Sequence, residues 1–123
     1  MKRQDALRVL ILEDEFIVAM YLEDLLVELG HQVVQSFARM DEAFGFASHS
    51  EFDFGVLDIN LGGEKTFPVA EILRRRGIPF VFATGYGAAG LSDDFHGQPT
   101  LQKPYDQASL ARVIAEARDR VGG

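Results

Sequence analysis

Four short segments of this chain each end in residues that can do chemistry. Arg8-Val9-Leu10-Ile11-Leu12 runs into Glu13-Asp14-Glu15. Phe54-Gly55-Val56-Leu57 delivers Asp58, just before the turn Asn60-Leu61-Gly62-Gly63. Pro79-Phe80-Val81-Phe82-Ala83 is followed by Thr84-Gly85, and Thr100-Leu101-Gln102 by Lys103-Pro104. Each has a plain reading alone: the acids as a helix cap, Asp58 and Thr84 as turn residues, Lys103 as a solvated strand end. Together they make one reactive site. Clustered carboxylates repel one another and call for a cation. Oxygen ligands without cysteine or histidine suit a hard ion, magnesium or manganese in its place, held by one or two carboxylates with waters and a phosphate. Glu13 and Asp14 fit as ligands, Glu13 through a water. Asp58, next to the metal, can act as nucleophile and form an aspartyl phosphate. The negative phosphoryl oxygens need positioned positive charge, which the metal and Lys103 would supply, and the Thr84 hydroxyl can donate to one of them.

For these residues to meet, the segments before them must be neighbouring strands pointing the same way. Arg8 to Leu12 reads as a buried strand, and Phe16 to Leu29 as a helix carrying Val18, Leu22, Leu25, Leu26 and Leu29, closed by Gly30. Gln32 to Gln35 is a short strand with polar neighbours. Asp41 to Ser48 is a weak helix with Ala43, Phe44 and Ala47 on one face. Phe54 to Leu57 is a strand, and a helix starts near Thr66 with Pro68 in its first turn. Pro79 to Ala83 is a strand. Residues 85–97 hold Gly85, Gly87, Gly90 and Gly97, so any helix there is short and loosely held. Thr100 to Gln102 is a brief strand, and Asp106 caps a last helix with Leu110, Val113, Ile114, Ala117 and Val121 inward. Strands alternating with helices imply a parallel sheet with right-handed crossovers. The first, third and fourth strands are apolar on both faces, hence central; the second and fifth are edges. The expected fold is α/β, a flavodoxin-like (βα)5 doubly wound five-stranded parallel sheet of order 2-1-3-4-5, with its ligand crevice at the carboxyl ends of the strands.

Composition narrows the function. With 123 residues, 47% hydrophobic and 25% charged, the chain reads as one folded domain over 1–123. A net charge of −7 argues against nucleic acid as a partner. The absence of cysteine excludes disulfides and thiolate metal sites and suits a reducing compartment. No apolar run reaches the roughly 20 residues of a membrane helix, and the run after Met1-Lys2-Arg3 is too short for a secretion signal. A cytoplasmic location with no membrane contact is expected. Arg74-Arg75-Arg76 before Gly77 reads as a helix C-terminus, and His31, His49 and His96 lack ligand spacing.

The four motifs Leu12-Glu13-Asp14, Leu57-Asp58, Ala83-Thr84-Gly85 and Lys103-Pro104, in this order over nearly the whole chain, resemble the receiver domains of two-component response regulators. The resemblance implies magnesium-dependent phosphotransfer to Asp58 from a histidine kinase or histidine phosphotransfer protein. It also implies that the Asn60 carbonyl completes the metal site and that the Lys103-Pro104 bond is cis. Two departures stand out. Typical receivers carry Tyr or Phe three residues before the lysine, where this chain has Thr100, and many continue past the phosphorylated Asp with Met-Pro, where it has Leu61-Gly62. Phe82-Ala83-Thr84-Gly85-Tyr86 looks like the Phe-Ala-Thr-Gly-Tyr (FATGUY) subgroup, which lacks the aromatic switch and is often stand-alone.

The leading expectation is therefore a single-domain response regulator without an output domain, not a conventional enzyme. It would signal to a downstream protein target or serve as a phosphate shuttle or sink. Segment 85–97 would tighten as Thr84 is pulled toward Asp58, with Tyr86 covering the phosphate. The alternatives are a degenerate receiver that binds a partner without phosphorylation, and a small aspartyl-phosphate phosphatase. The latter normally wants a second Asp two residues after the nucleophile, where this chain has Asn60.

Overall fold

The structure, a computed structural model, describes residues 6–85 and 90–122. The elements run β1 (Arg8–Leu12), α1 (Phe16–Glu28), β2 (Gln32–Phe37), α2 (Met40–His49), β3 (Phe54–Asp58), β4 (Asn60–Leu61), β5 (Glu64–Lys65), α3 (Phe67–Arg76), β6 (Phe80–Thr84), β7 (Thr100–Gln102) and α4 (Gln107–Gly122). Five strands form a parallel sheet of order β2-β1-β3-β6-β7. This is the expected flavodoxin-like order, with two labels taken by the antiparallel hairpin β4-β5. β3 and β6, apolar up to their last residues Asp58 and Thr84, are buried throughout and sit inside the sheet; the mixed β2 and β7 lie at the edges.

Side chains alternate across a strand, and that alternation builds two cores. Val9 and Ile11 of β1, with Val56 and Val81, face α1 (Leu22, Leu25, Leu26) and α4 (Leu110, Val113, Ile114, Ala117). Leu10 and Leu12, with Leu57, Phe80 and Phe82, face α2 (Ala43, Ala47) and α3 (Val69, Ala70, Leu73). α3 lies so close to the sheet that a Cβ on Gly55 would come 2.7 Å from Leu73 Cδ2.

Several details depart from the sequence-based expectations. β2 runs on to Phe37 and pairs with all of β1. α2 begins at Met40, and its buried stripe is Met40, Ala43 and Ala47, which leaves Phe44 on the solvent side. Phe46 is drawn in instead, between Phe37 and Phe52 with ring centroids 5.4 and 5.7 Å away. After β6, a 3-10 turn at Asp93–Phe95 precedes β7. Phe95 anchors it among Phe67 and Phe82, with centroids 5.5 and 5.4 Å away. The basic triplet closes α3, with Gly77 in the left-handed region at φ 73°. Arg74 lies 4.5 Å over the Phe95 ring and donates to the Asp94 carbonyl. Arg76 donates to the Ala47 carbonyl. Among the described residues no helix is long and apolar enough to cross a membrane.

Candidate functional site

The register of the parallel sheet decides which residues meet. Leu12 pairs with Leu57, Asp58 with Ala83, and Thr84 with Gln102. Asp58 and Thr84 within these pairs, and Glu13 and Lys103 one step beyond them, all arrive at the same edge. Backbone hydrogen bonds lace that edge: Glu13 N–H to the Phe37 carbonyl (3.0 Å), Ile59 N–H to the Ala83 carbonyl (3.3 Å) and Lys103 N–H to the Thr84 carbonyl (2.9 Å).

At the centre is the Lys103 ammonium. It donates to Asp58 Oδ2 at 3.2 Å, stands 3.2 Å from Asp58 Oδ1 and ion-pairs with Glu13 Oε1 at 3.1 Å. Glu13, Asp58 and Thr84 are buried, while Asp14 is exposed at the mouth. Glu13, Asp14 and Asp58 each offer a carboxylate oxygen, all within 4.8 Å of one another. Burial first, and then the charge of Glu13, push the Asp58 carboxyl up to about 7 against the pull of Lys103. Burial works to lower the lysine, but Asp58 and Glu13 outweigh it and hold the ammonium above its ordinary value. One partly buried cation thus faces three carboxylates, and the excess negative charge is what a divalent ion would neutralise. The donors also suit a hard cation. They are all oxygens, and the buried Glu13 Oε1 has no well-aligned hydrogen bond among the described residues beyond its ion pair with Lys103. A metal therefore fits at Glu13, Asp14 and Asp58.

Other residues shape the site without a signal in the sequence pattern. The Thr66 hydroxyl, fully buried, donates to the Asp58 carbonyl and holds the end of β3 against the start of α3. Gly62, at the tip of the β4-β5 hairpin, donates its N–H to Asp14 Oδ2 at 2.8 Å. The Glu15 N–H donates to Glu13 Oε2 at 3.0 Å. Tyr105, two residues after the lysine, is buried. Asn60 opens the hairpin opposite Lys65, two residues past Asp58. The Lys103-Pro104 peptide is cis. Thr100 sits half-buried at the start of β7. Tyr86 lies outside the described residues, as do the other residues of 86–89 within segment 85–97.

Comparison with known proteins points one way. Residues 9–115 match the family model of the response regulator receiver domain. The chain is 33% identical over 117 residues to the phyllosphere-induced regulator PhyR of Methylorubrum extorquens, a match covering 91% of this chain and 43% of that protein. The solution structure of SdrG from Sphingomonas melonis Fr1 superimposes with a TM-score of 0.81 at 40% identity, covering 89% of this chain and 94% of that one. A BeF3-activated conformation of SdrG, from Pseudomonas melonis Fr1, does so with a TM-score of 0.77 at 40% identity, covering 94% and 99%. The chain spans less than half the length of the curated relatives it matches.

Proposed function

The chain belongs to the response regulator receiver domain family, and from that premise we propose that it is a phospho-acceptor, modified on Asp58 by a histidine kinase or histidine phosphotransfer protein. The observation that carries this reading is the buried Asp58 carboxylate at a strand end, in hydrogen-bond contact with Lys103 and flanked by Glu13 and Asp14. Glu13, Asp14, Asp58 and the Asn60 carbonyl would hold magnesium. Bound there, it would neutralise the crowded carboxylates and the phosphoryl oxygens they receive.

The residues themselves then do the following. Ionised Asp58 attacks the phosphorus of a phosphohistidine. An O–P bond forms as the P–N bond breaks, and the electron pair left on the imidazole nitrogen takes up a proton from water. Lys103 supplies positive charge to a phosphoryl oxygen with little movement, since its ammonium already touches both Asp58 oxygens. Thr84, at the end of the neighbouring strand, supplies a hydroxyl to another. The Thr66 contact fixes the backbone behind the nucleophile, so the carboxylate is aimed before the donor arrives.

A protein donor needs a surface to rest on. Phe16, Ile17, Met20 and Tyr21, at the start of α1 beside the carboxylates, are large apolar residues exposed to solvent. That face favours signalling by protein contact, and it serves the partner-only alternative equally well; the cytoplasm is the proposed setting. The Phe82-Ala83-Thr84-Gly85-Tyr86 string and the absence of an aromatic at Thr100 support placement in the subgroup without the usual switch. The capture of the similar SdrG in a BeF3-activated conformation supports a phosphorylation-driven change here. Segment 85–97 as its carrier and Tyr86 as a phosphate cover are further parts of the proposal. The test is incubation with a phosphohistidine-bearing donor protein. One phosphoryl mass should appear on the peptide holding Asp58 and none on the Asp58→Asn chain. Turnover of small phosphate esters would instead indicate the phosphatase.

A further inference from the structure

Past Asp58 this chain has Leu61-Gly62 where many receivers have Met-Pro, and the departure has a structural result. Leu61 pairs with Glu64, so Gly62-Gly63 is a two-residue hairpin turn. Both glycines lie in the left-handed region, at φ 58° and 88°, as the tight turn that suits two twisted strands requires. Proline at position 62 could not adopt that φ and has no N–H. Glycine supplies both. The N–H it adds is aimed at the site, where it donates to Asp14 Oδ2 at 2.8 Å.

The hairpin is a firm mount for that donor. At its base the Thr66 N–H donates to the Ile59 carbonyl at 2.9 Å, and the Thr66 hydroxyl donates to the Asp58 carbonyl. Halfway along, Leu61 is buried in the core. The tip is thereby fixed relative to Asp58. Asp14 is placed differently. It is exposed, in the loop between β1 and α1. An exposed aspartate samples several rotamers, and ordering it around a cation costs entropy. The Gly62 bond orders it beforehand, occupying one oxygen and leaving the carboxylate a second for the ion. We propose that Gly62 is a positioning residue of the magnesium site: its N–H, presented by the β4-β5 hairpin, holds the Asp14 carboxylate in place for an ion bound beside Asp58. Outer hydrogen bonds of this kind commonly orient metal ligands, and their loss weakens metal affinity about 10- to 100-fold. This inference rests on the metal site of the phospho-acceptor reading above and does not depend on phosphorylation itself.

The experiment compares three full-length chains. One is native. The second, made by chemical ligation, carries glycolic acid at position 62, so that an ester replaces the amide and the N–H is removed. The third carries D-alanine at position 62, which keeps the N–H and favours the left-handed backbone. Magnesium chloride is titrated into each, and its affinity is read from the NMR shifts of the amides of residues 13–15. The ester chain should bind magnesium about tenfold more weakly than the native chain, and the D-alanine chain should bind within about twofold of it. In the native chain without metal, the Gly62 amide proton should be protected from exchange with solvent. An unprotected Gly62 amide, which needs no variant to observe, overturns the inference. Equal affinity of the ester and native chains overturns it too. So does a D-alanine chain that binds as weakly as the ester chain, because the turn and not the N–H would then set the affinity. Failure of the native chain to bind magnesium at all would take down the metal site first, and this inference with it.

Discussion

Two aspartates bracket β3, and their surroundings are opposite. Asp53, just before the strand, accepts from the Arg8 N–H at 2.8 Å and from the Arg8 guanidinium at 3.0 Å on each oxygen. The guanidinium bonds hold its carboxyl below the ordinary value, against a smaller effect of burial. Asp58, the last residue of the strand, is pushed up to about 7 by burial and by Glu13. At the amino edge of the sheet one cation meets one anion, half in water, and the pair is complete. At the carboxyl edge one ammonium serves buried carboxylates that outnumber it. The first arrangement lowers the energy of the fold. The second raises it, and only something brought from outside, a cation or a phosphoryl group held by cations, can relieve it. This contrast across one strand supports the proposal that the carboxyl edge is the place of chemistry.

Substitutions can break the contrast. The largest expected effect is on Asp58→Asn: phosphorylation is abolished while stability rises by about 1–2 kcal/mol at pH 8, because a repelled buried charge is gone. Urea denaturation beside a phosphorylation assay checks both halves. A clear loss of stability would place Asp58 among the structural residues with Asp53. Next, Lys103→Ala should cost about 2 kcal/mol at pH 8, less than the loss typical of a broken buried pair because the ammonium is partly exposed. Magnesium should still bind, but the spectral change that beryllofluoride produces should shrink. Smaller again, Asp53→Ala should lower stability by about 1 kcal/mol, the worth of a half-exposed bidentate pair with one backbone hydrogen bond. Its phosphorylation rate should be unchanged.

The finest test is the pH dependence of stability, where the signs of the two aspartates oppose each other. Asp58 has a folded pKa of about 7, above its unfolded value of about 3.9. The unfolded chain releases this proton first, so the site withdraws stability as pH rises from about 4 to about 7. Asp53 is depressed, so its contribution is present above about 4 and lost as pH falls through its folded value. His31, whose Nδ1 accepts the Leu7 N–H at 3.0 Å, is lowered by burial and by Arg118. The unfolded chain therefore takes up that proton first, and stability falls as pH drops below about 6.5. Asp58→Asn should remove the loss between pH 4 and 7, and Asp53→Asn should leave it in place. Magnesium should raise the melting temperature more at pH 8 than at pH 5.5.

The sheet and the residues at its edge could be read from the sequence because both follow from repetition. An apolar run such as Phe54 to Leu57 needs cover on both faces, and a parallel sheet then sets the ends of β1, β3, β6 and β7 level, so Glu13, Asp58, Thr84 and Lys103 meet. What escaped depends on single contacts. The β4-β5 hairpin has strands of two residues, too short for any period to show. The Thr66 hydroxyl on the Asp58 carbonyl and the Gly62 N–H on Asp14 exist only once the chain is folded. Phe44 is as apolar as its neighbours, and only the packing of α2 shows that the buried stripe is Met40, Ala43 and Ala47 with Phe44 on its exposed side.

The central claim is that the unrelieved charge at the carboxyl edge exists to accept a phosphoryl group. The most direct test is the intact mass of the native chain and of Asp58→Asn after incubation with a small phosphodonor, with and without magnesium. The account predicts one phosphoryl adduct, on the native chain alone and only with magnesium. An adduct on Asp58→Asn, an adduct formed equally well without magnesium, or no adduct on the native chain from either a small donor or a phosphohistidine protein would contradict it.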